Sequence, residues 1–156
     1  MSSKYSDASV RTSKKSSPTF RNDDVYVSKS NFLKKNGVDG YGLYASRPYY
    51  TGDVIQEYTG IKISLEEATN KKTHKNYFFE IKANGKIVCI IDAANASRSS
   101  PARYVNTIRY AHEERYRNTT FVQYQQKIYL VAIKPIKRDS ELIAYYGKFT
   151  ENIIAM

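Results

Sequence analysis

Residues 103–106 read Arg103-Tyr104-Val105-Asn106, and residues 141–147 read Glu141-Leu142-Ile143-Ala144-Tyr145-Tyr146-Gly147. The first stretch follows Ser100-Pro101, which sets proline at a first helical position ahead of residues 102–106. Alone, an Asn near the end of a short helix is more often a cap or turn former than a ligand contact. The second stretch is an apolar strand ending on two tyrosines before a glycine. Successive strand side chains point to opposite faces, so alone this pair reads as one tyrosine toward the core and one toward solvent.

Outward from these stretches the chain breaks into short β-type runs. They cover residues 25–27, 41–45, 54–63, 77–83, 86–91, 120–125, 128–133 and 141–145. Asn84-Gly85 between two of them is the strongest short hairpin signal a sequence offers. Helix signals are few. Ser64-Leu65-Glu66-Glu67 has the form of a capping box, and residues 111–117 have room for one further turn. Short strands with few helices predict a mainly β domain with non-local pairings.

The chain has 156 residues, enough for one well-buried core. Its net charge of +10 favours acidic partners such as nucleic acid. Residues 1–24, rich in Ser and Lys and without a period, read as a flexible basic tail. That tail holds five basic and three acidic residues, so most of the charge belongs to the body. The single cysteine, Cys89, excludes a disulfide framework and any zinc site needing several thiolates. His74 and His112 lie far apart, so no metal site is expected. No apolar run approaches a membrane span, which predicts an intracellular protein with no membrane partner. Tyrosine occurs 15 times, and aromatic rings with a polar tip suit a site that encloses a cation.

Gly40-Tyr41-Gly42 is, by itself, a turn into a strand or a place where backbone must approach a ligand closely. In order, however, six segments resemble the SET-domain family of protein lysine methyltransferases. They are Gly40-Tyr41-Gly42-Leu43-Tyr44-Ala45, the run from Gly52 to Gly60, Ile91-Asp92, Arg103-Tyr104-Val105-Asn106, the run from Val131 to Ile136, and Glu141-Leu142 through Tyr146-Gly147. Asn106 is followed by Thr107-Ile108-Arg109, then Glu113-Glu114, Asn118 and Phe121-Val122-Gln123-Tyr124. That continuation is similar to the PR/SET branch. The resemblance divides the chain into the tail 1–24, a SET domain 25–147 and a short C-terminal segment 148–156.

The resemblance implies several small curved sheets with a C-terminal pseudoknot, S-adenosylmethionine as cofactor, and a histone or other protein lysine as substrate in the nucleus. It implies Tyr146 as the catalytic hydroxyl. Gly40, Tyr41, Gly42, Tyr77, Asn106, Thr107 and Tyr145 would bind the cofactor. Tyr58, Tyr124 and Ala144 would line the lysine channel, and the small Ala144 would leave room for more than one methyl. Glu57, Glu113 and Glu114 could line a groove for a basic tail, while the basic body better suits nucleosomal DNA. Many relatives close the channel with a zinc-bound lid, which one cysteine cannot build; residues 148–156 or a second copy of the chain would do so here. Thr107 stands where most SET domains carry His, which keeps a second reading open: a non-catalytic PR/SET module that binds chromatin or a partner protein.

Overall fold

The computed structural model describes residues 20–71 and 77–145. β1 (Phe20–Arg21) pairs antiparallel with β2 (Val25–Lys29). The expected tail therefore gives way to folded chain by Phe20, before Asp24. Asn22 Oδ1 accepts the N–H groups of Asp24 and Val25 and turns the chain between the two strands. Residues 1–19 of that tail lie outside the described residues. α1 (Asn31–Lys35), absent from the sequence reading, starts at Ser30, whose Oγ accepts the Leu33 N–H. β3 (Tyr41–Ala45) returns along β2 and is buried except at Tyr41.

The expected single strand over 54–63 is two strands in different sheets, β4 (Val54–Tyr58) and β5 (Ile61–Ile63). The bend falls at Gly60, where a Cβ would run into the Asp92 carbonyl. α2 (Leu65–Asn70) opens with the expected capping box on Ser64 and Glu67. β6 (Phe78–Ala83) and β7 (Lys86–Asp92) form the expected hairpin, with Asn84 and Gly85 both at positive φ. Pro101–Tyr104 is one 3-10 turn rather than a helix reaching Asn106. Asn106 stands instead on β8 (Asn106–Thr107). A further 3-10 turn, Ala111–Tyr116, leads to the antiparallel pair β9 (Thr119–Tyr124) and β10 (Lys127–Ala132), and β11 (Glu141–Ala144) is the last described strand.

The strands form three small sheets, ordered β1-β2-β3-β11-β8, β4-β10-β9 and β5-β7-β6. They share one core, in which the rings of Tyr58, Phe79 and Phe121 meet at centroid distances of 5.0 to 5.7 Å. β11 is antiparallel to β3 and parallel to β8, with Ile143 beside Asn106 and Ala144 beside Thr107. The chain entering β9 grips it as well. Asn118 Oδ1 accepts the Ile143 N–H, Asn118 Nδ2 donates to the Glu141 carbonyl, and Thr119 Oγ1 donates to the Ile143 carbonyl. This threading of the last strand is the pseudoknot that the resemblance implied.

Two buried phenols tie the first sheet to its loops. Tyr49 donates to the Asp24 carbonyl at 2.8 Å, and burial pushes its pKa up to about 12. Tyr44 donates to the Lys29 carbonyl at 2.7 Å; burial, then the Glu141 carboxylate, pushes it up to about 12 as well. Folded values above the ordinary 10.0 mean that the native state keeps protons which the unfolded chain releases. Their stabilisation is complete below pH 10 and is lost as the pH rises toward 12. Circular dichroism during alkaline titration should show stability falling in that window. Tyr49→Phe should make the fall shallower while lowering stability at neutral pH by about 1 kcal/mol.

Candidate functional site

Three elements converge on the first side chain of β11. Glu141 Oε1 accepts the Phe32 N–H of α1 at 2.9 Å, and Oε2 accepts from Ser30 Oγ at 2.6 Å and from Asn106 Nδ2 at 3.3 Å. Gly42 lies directly against this carboxylate. A Cβ there would overlap Oε2 and come within 3.0 Å of Cδ. At Gly40 a Cβ would lie 2.8 Å from Leu33 Cδ1. Both glycines thus make room for contacts within the chain. Asn106 Nδ2 also donates to the Tyr41 carbonyl at 2.9 Å, so its side chain ties β8 to β3 across the start of β11.

Around this knot the structure collects most of the expected site. Gly40, Tyr41, Gly42, Asn106, Thr107 and Ala144 lie on β3, β8 and β11 or immediately beside them, and Tyr145 follows β11. Tyr41 is 43% exposed, with the Lys29 ammonium 5.1 Å from its ring centre. β8 is the outermost strand of its sheet. The Ile108 N–H goes to the Ala144 carbonyl, so the Thr107 peptide groups turn the other way, toward the outer edge. Ala144 is fully buried. Tyr145 is half-buried, with the Arg117 guanidinium 5.8 Å from its ring centre. Tyr146 lies outside the described residues, as do His74 and residues 148–156.

Three expected residues sit elsewhere. Tyr58 is a core aromatic: it is 1% exposed and its hydroxyl donates to the Tyr77 carbonyl at 3.1 Å. Its strand buries it between Phe79 and Phe121, so among the described residues it presents no channel surface. Tyr124 is 65% exposed at the hairpin end of β9. Thr119, at the other end of that strand, is the residue that touches β11, and strand rise puts Tyr124 about 17 Å further along. Tyr77 is half-buried under the Arg103 guanidinium, 4.3 Å from its ring centre. Glu113 is not open to a basic tail. It is 2% exposed, and its carboxylate accepts the Arg109 and Tyr110 N–H groups and Asn36 Nδ2. Burial alone would push its pKa up; those hydrogen bonds outweigh it and hold it below the ordinary carboxylate value.

Sequence reasoning assigned no role to Ser30, Glu141 or Asn118. Their signal is faint: Glu141 opens a strand, and Ser30 has the form of a helix cap. Among the described residues, no group of three or more His, Cys, Asp and Glu side chains is placed to hold a metal ion.

Comparison with known proteins follows this geometry. The family model of the PR domain of PR domain zinc finger protein 2 matches residues 58–155. Putative histone-lysine N-methyltransferase PRDM6 of Homo sapiens is 29% identical over 109 residues, 69% of this chain and 18% of that protein. Histone-lysine N-methyltransferase EZH2 of Chaetomium thermophilum is 27% identical over 118 residues, 73% of this chain and 8% of that protein. The chain therefore spans less than a fifth of these relatives. The solved methyltransferase domain of human PR domain-containing protein 2 superposes with a TM-score of 0.60 at 22% identity, covering 80% of this chain and 78% of that one. The Chaetomium thermophilum polycomb repressive complex 2 bound to S-adenosylmethionine superposes with a TM-score of 0.61 at 26% identity, covering 83% of this chain and 16% of that one.

The Gly42–Glu141 contact is open to a double-mutant cycle. Gly42→Ala should cost about 1–3 kcal/mol, because the carboxylate it would displace is held on both oxygens. Glu141→Ala should cost about 2–4 kcal/mol by stranding its donors. The double variant should be less destabilised than the sum, measured by urea unfolding.

Proposed function

The chain belongs to the PR-domain branch of the SET family, and on that premise we propose that it is an S-adenosylmethionine-dependent protein-lysine N-methyltransferase acting on a histone tail in the nucleus. The observation that carries the reading is the parallel pairing of β8 with β11. It turns the Thr107 peptide groups toward the open sheet edge, with the Tyr41 carbonyl tied to Asn106 and with Tyr145 following β11. That donor set fits S-adenosylmethionine. An open backbone edge can hydrogen-bond a heteroaromatic ring, and half-exposed phenol rings attract a sulfonium cation. Gly40, Tyr41, Gly42, Asn106, Thr107 and Tyr145 would hold it. When bound, it supplies an electrophilic methyl group.

The chain's own residues have a different task. The lysine amine has an ordinary pKa near 10.4 and must be neutral to act as a nucleophile. Apolar and aromatic surroundings disfavour its charged form. A phenol can orient the neutral amine without adding the negative charge that would favour the ammonium. We assign that role to Tyr146, with Tyr145 as the aromatic cover. Asn106, fixed by Tyr41, Ser30 and Glu141, keeps the β8 edge in place. Ala144 stands two residues before Tyr146 in the sequence, and its small side chain would leave room for more than one methyl. Residues 148–156 or a second copy of the chain would complete the channel.

Calorimetry with S-adenosylmethionine and tritium transfer to core histones test this reading. The wild type should bind the cofactor and label a histone. Tyr146→Phe should bind it equally well and transfer about a hundredfold more slowly, the scale of a lost orienting contact. A wild type that binds no cofactor would instead support the non-catalytic chromatin module, toward which Thr107 points.

A further inference from the structure

Two adjoining hollows, of about 320 and 190 Å3, open between α1 and the 3-10 turn Ala111–Tyr116. They share Phe32, Lys35, Arg115 and Tyr116 in their walls, and Lys134 completes the larger. None of the residues assigned above to cofactor or lysine lines either hollow. Glu141 also lines the larger hollow and Glu113 the smaller, so the walls carry three cations against two carboxylates, and the cations are the solvent-exposed charges. Lys35, Arg115 and Lys134 are exposed, and among the described residues none of them forms an ion pair. Their partners are neutral. Arg115 Nη2 donates to the Tyr116 hydroxyl at 2.9 Å, Lys134 Nζ donates to the Arg115 carbonyl at 3.2 Å, and Lys35 Nζ stands 4.6 Å from the Tyr116 ring centre.

The two wall carboxylates offset this charge only in part, because they are less exposed than the cations: Glu113 is 2% exposed and Glu141 half-buried. Glu141 spends its oxygens on Ser30, Phe32 and Asn106, and Glu113 spends its own on Asn36, Arg109 and Tyr110. Glu114 pairs with Arg117 at 3.5 Å. The excess positive charge is felt by Tyr116: the hydrogen bond from Arg115, then the charges of Arg115 and Lys35, hold its phenol below the ordinary value.

The shape selects among anions. The three cations are solvent-exposed around an open groove, so they retain water and do not enclose a small anion. Exposed lysines and arginines gain little from exposed carboxylates, which argues against an acidic peptide. A phosphodiester backbone differs, because each cation that meets it releases condensed counterions. We propose that this groove docks the backbone of duplex DNA. The surface goes beyond methyl transfer and stands independently of it.

Fluorescence anisotropy with a short labelled duplex tests it on the full chain. Replacing Lys35, Arg115 and Lys134 together by Gln should weaken binding about tenfold or more at low salt. It should also flatten the log–log salt dependence by about three, near one unit per phosphate contact. Cofactor binding and transfer to a free histone peptide should be unchanged, so failure of the docking surface and failure of the enzymatic reading are seen separately. The single variant Lys35→Glu reports independently, since among the described residues Lys35 forms no ion pair and its side chain bears on Tyr116. A control pair, Lys86→Gln with Lys127→Gln on the hairpin turns, should bind as wild type. Undiminished binding by the triple and single variants would overturn the proposal. So would an equal loss in the control pair, or tighter groove-dependent binding of poly-glutamate than of DNA.

Discussion

One carboxylate organises the middle of this protein. Glu141 lies where α1, β3, β8 and β11 meet, and it takes donors from a backbone amide, a hydroxyl and a side-chain amide. Hydrogen bonds to an ionised acceptor are shorter and stronger than neutral ones. Here they also satisfy first-turn groups of a helix too short to be stable alone. Glycine at 42 follows from the same carboxylate, which occupies the space of a side chain. The position of Asn106, and so the edge on which the proposed chemistry depends, is set by the same group.

Sequence patterning was informative where structure is local. The Asn84-Gly85 hairpin, the Ser64 capping box and the paired strands β9 and β10 each depend on a few neighbouring residues, and the structure contains all of them. Reading failed where a distant partner decides. The run 54–63 is uniformly β-forming, yet it divides at Gly60 because the Asp92 backbone lies against it. Asn106 has helix-end surroundings, yet Ile143 draws it into a parallel strand. The site follows the same rule. Tyr41, Asn106 and Tyr145 come together through the pseudoknot, whereas the resemblance set Tyr58 and Tyr124 in the lysine channel. Burial then separated them: one fills the core and the other ends a hairpin in solvent.

The charge of the chain has a spatial answer. A protein of +10 is poorly matched to a basic tail if its charge is spread evenly. Here Glu113 and Glu141 line the groove as the less exposed charges, while Lys35, Arg115 and Lys134 are exposed around it without an ion pair among the described residues. The cationic groove and the open β8 edge are lined by different residues. The proposed substrate tail and the proposed duplex would therefore be engaged at separate places.

The threading of β11 also bears on how the chain reaches its native state. Its strand pairs with β3, nearly a hundred residues earlier, and with β8, and it is held besides by Asn118 and Thr119. During synthesis, β3 and β8 both emerge from the ribosome before the strand that joins them. The first sheet must then wait with its middle missing and the inner edge of β3 unpaired, an invitation to aggregation or to wrong pairing. Distant contacts of this kind slow folding, because the entropy of loop closure is lost before the contacts form. Once Glu141 reaches Ser30, Phe32 and Asn106, the same topology works in reverse: β11 cannot leave without releasing all of its neighbours together.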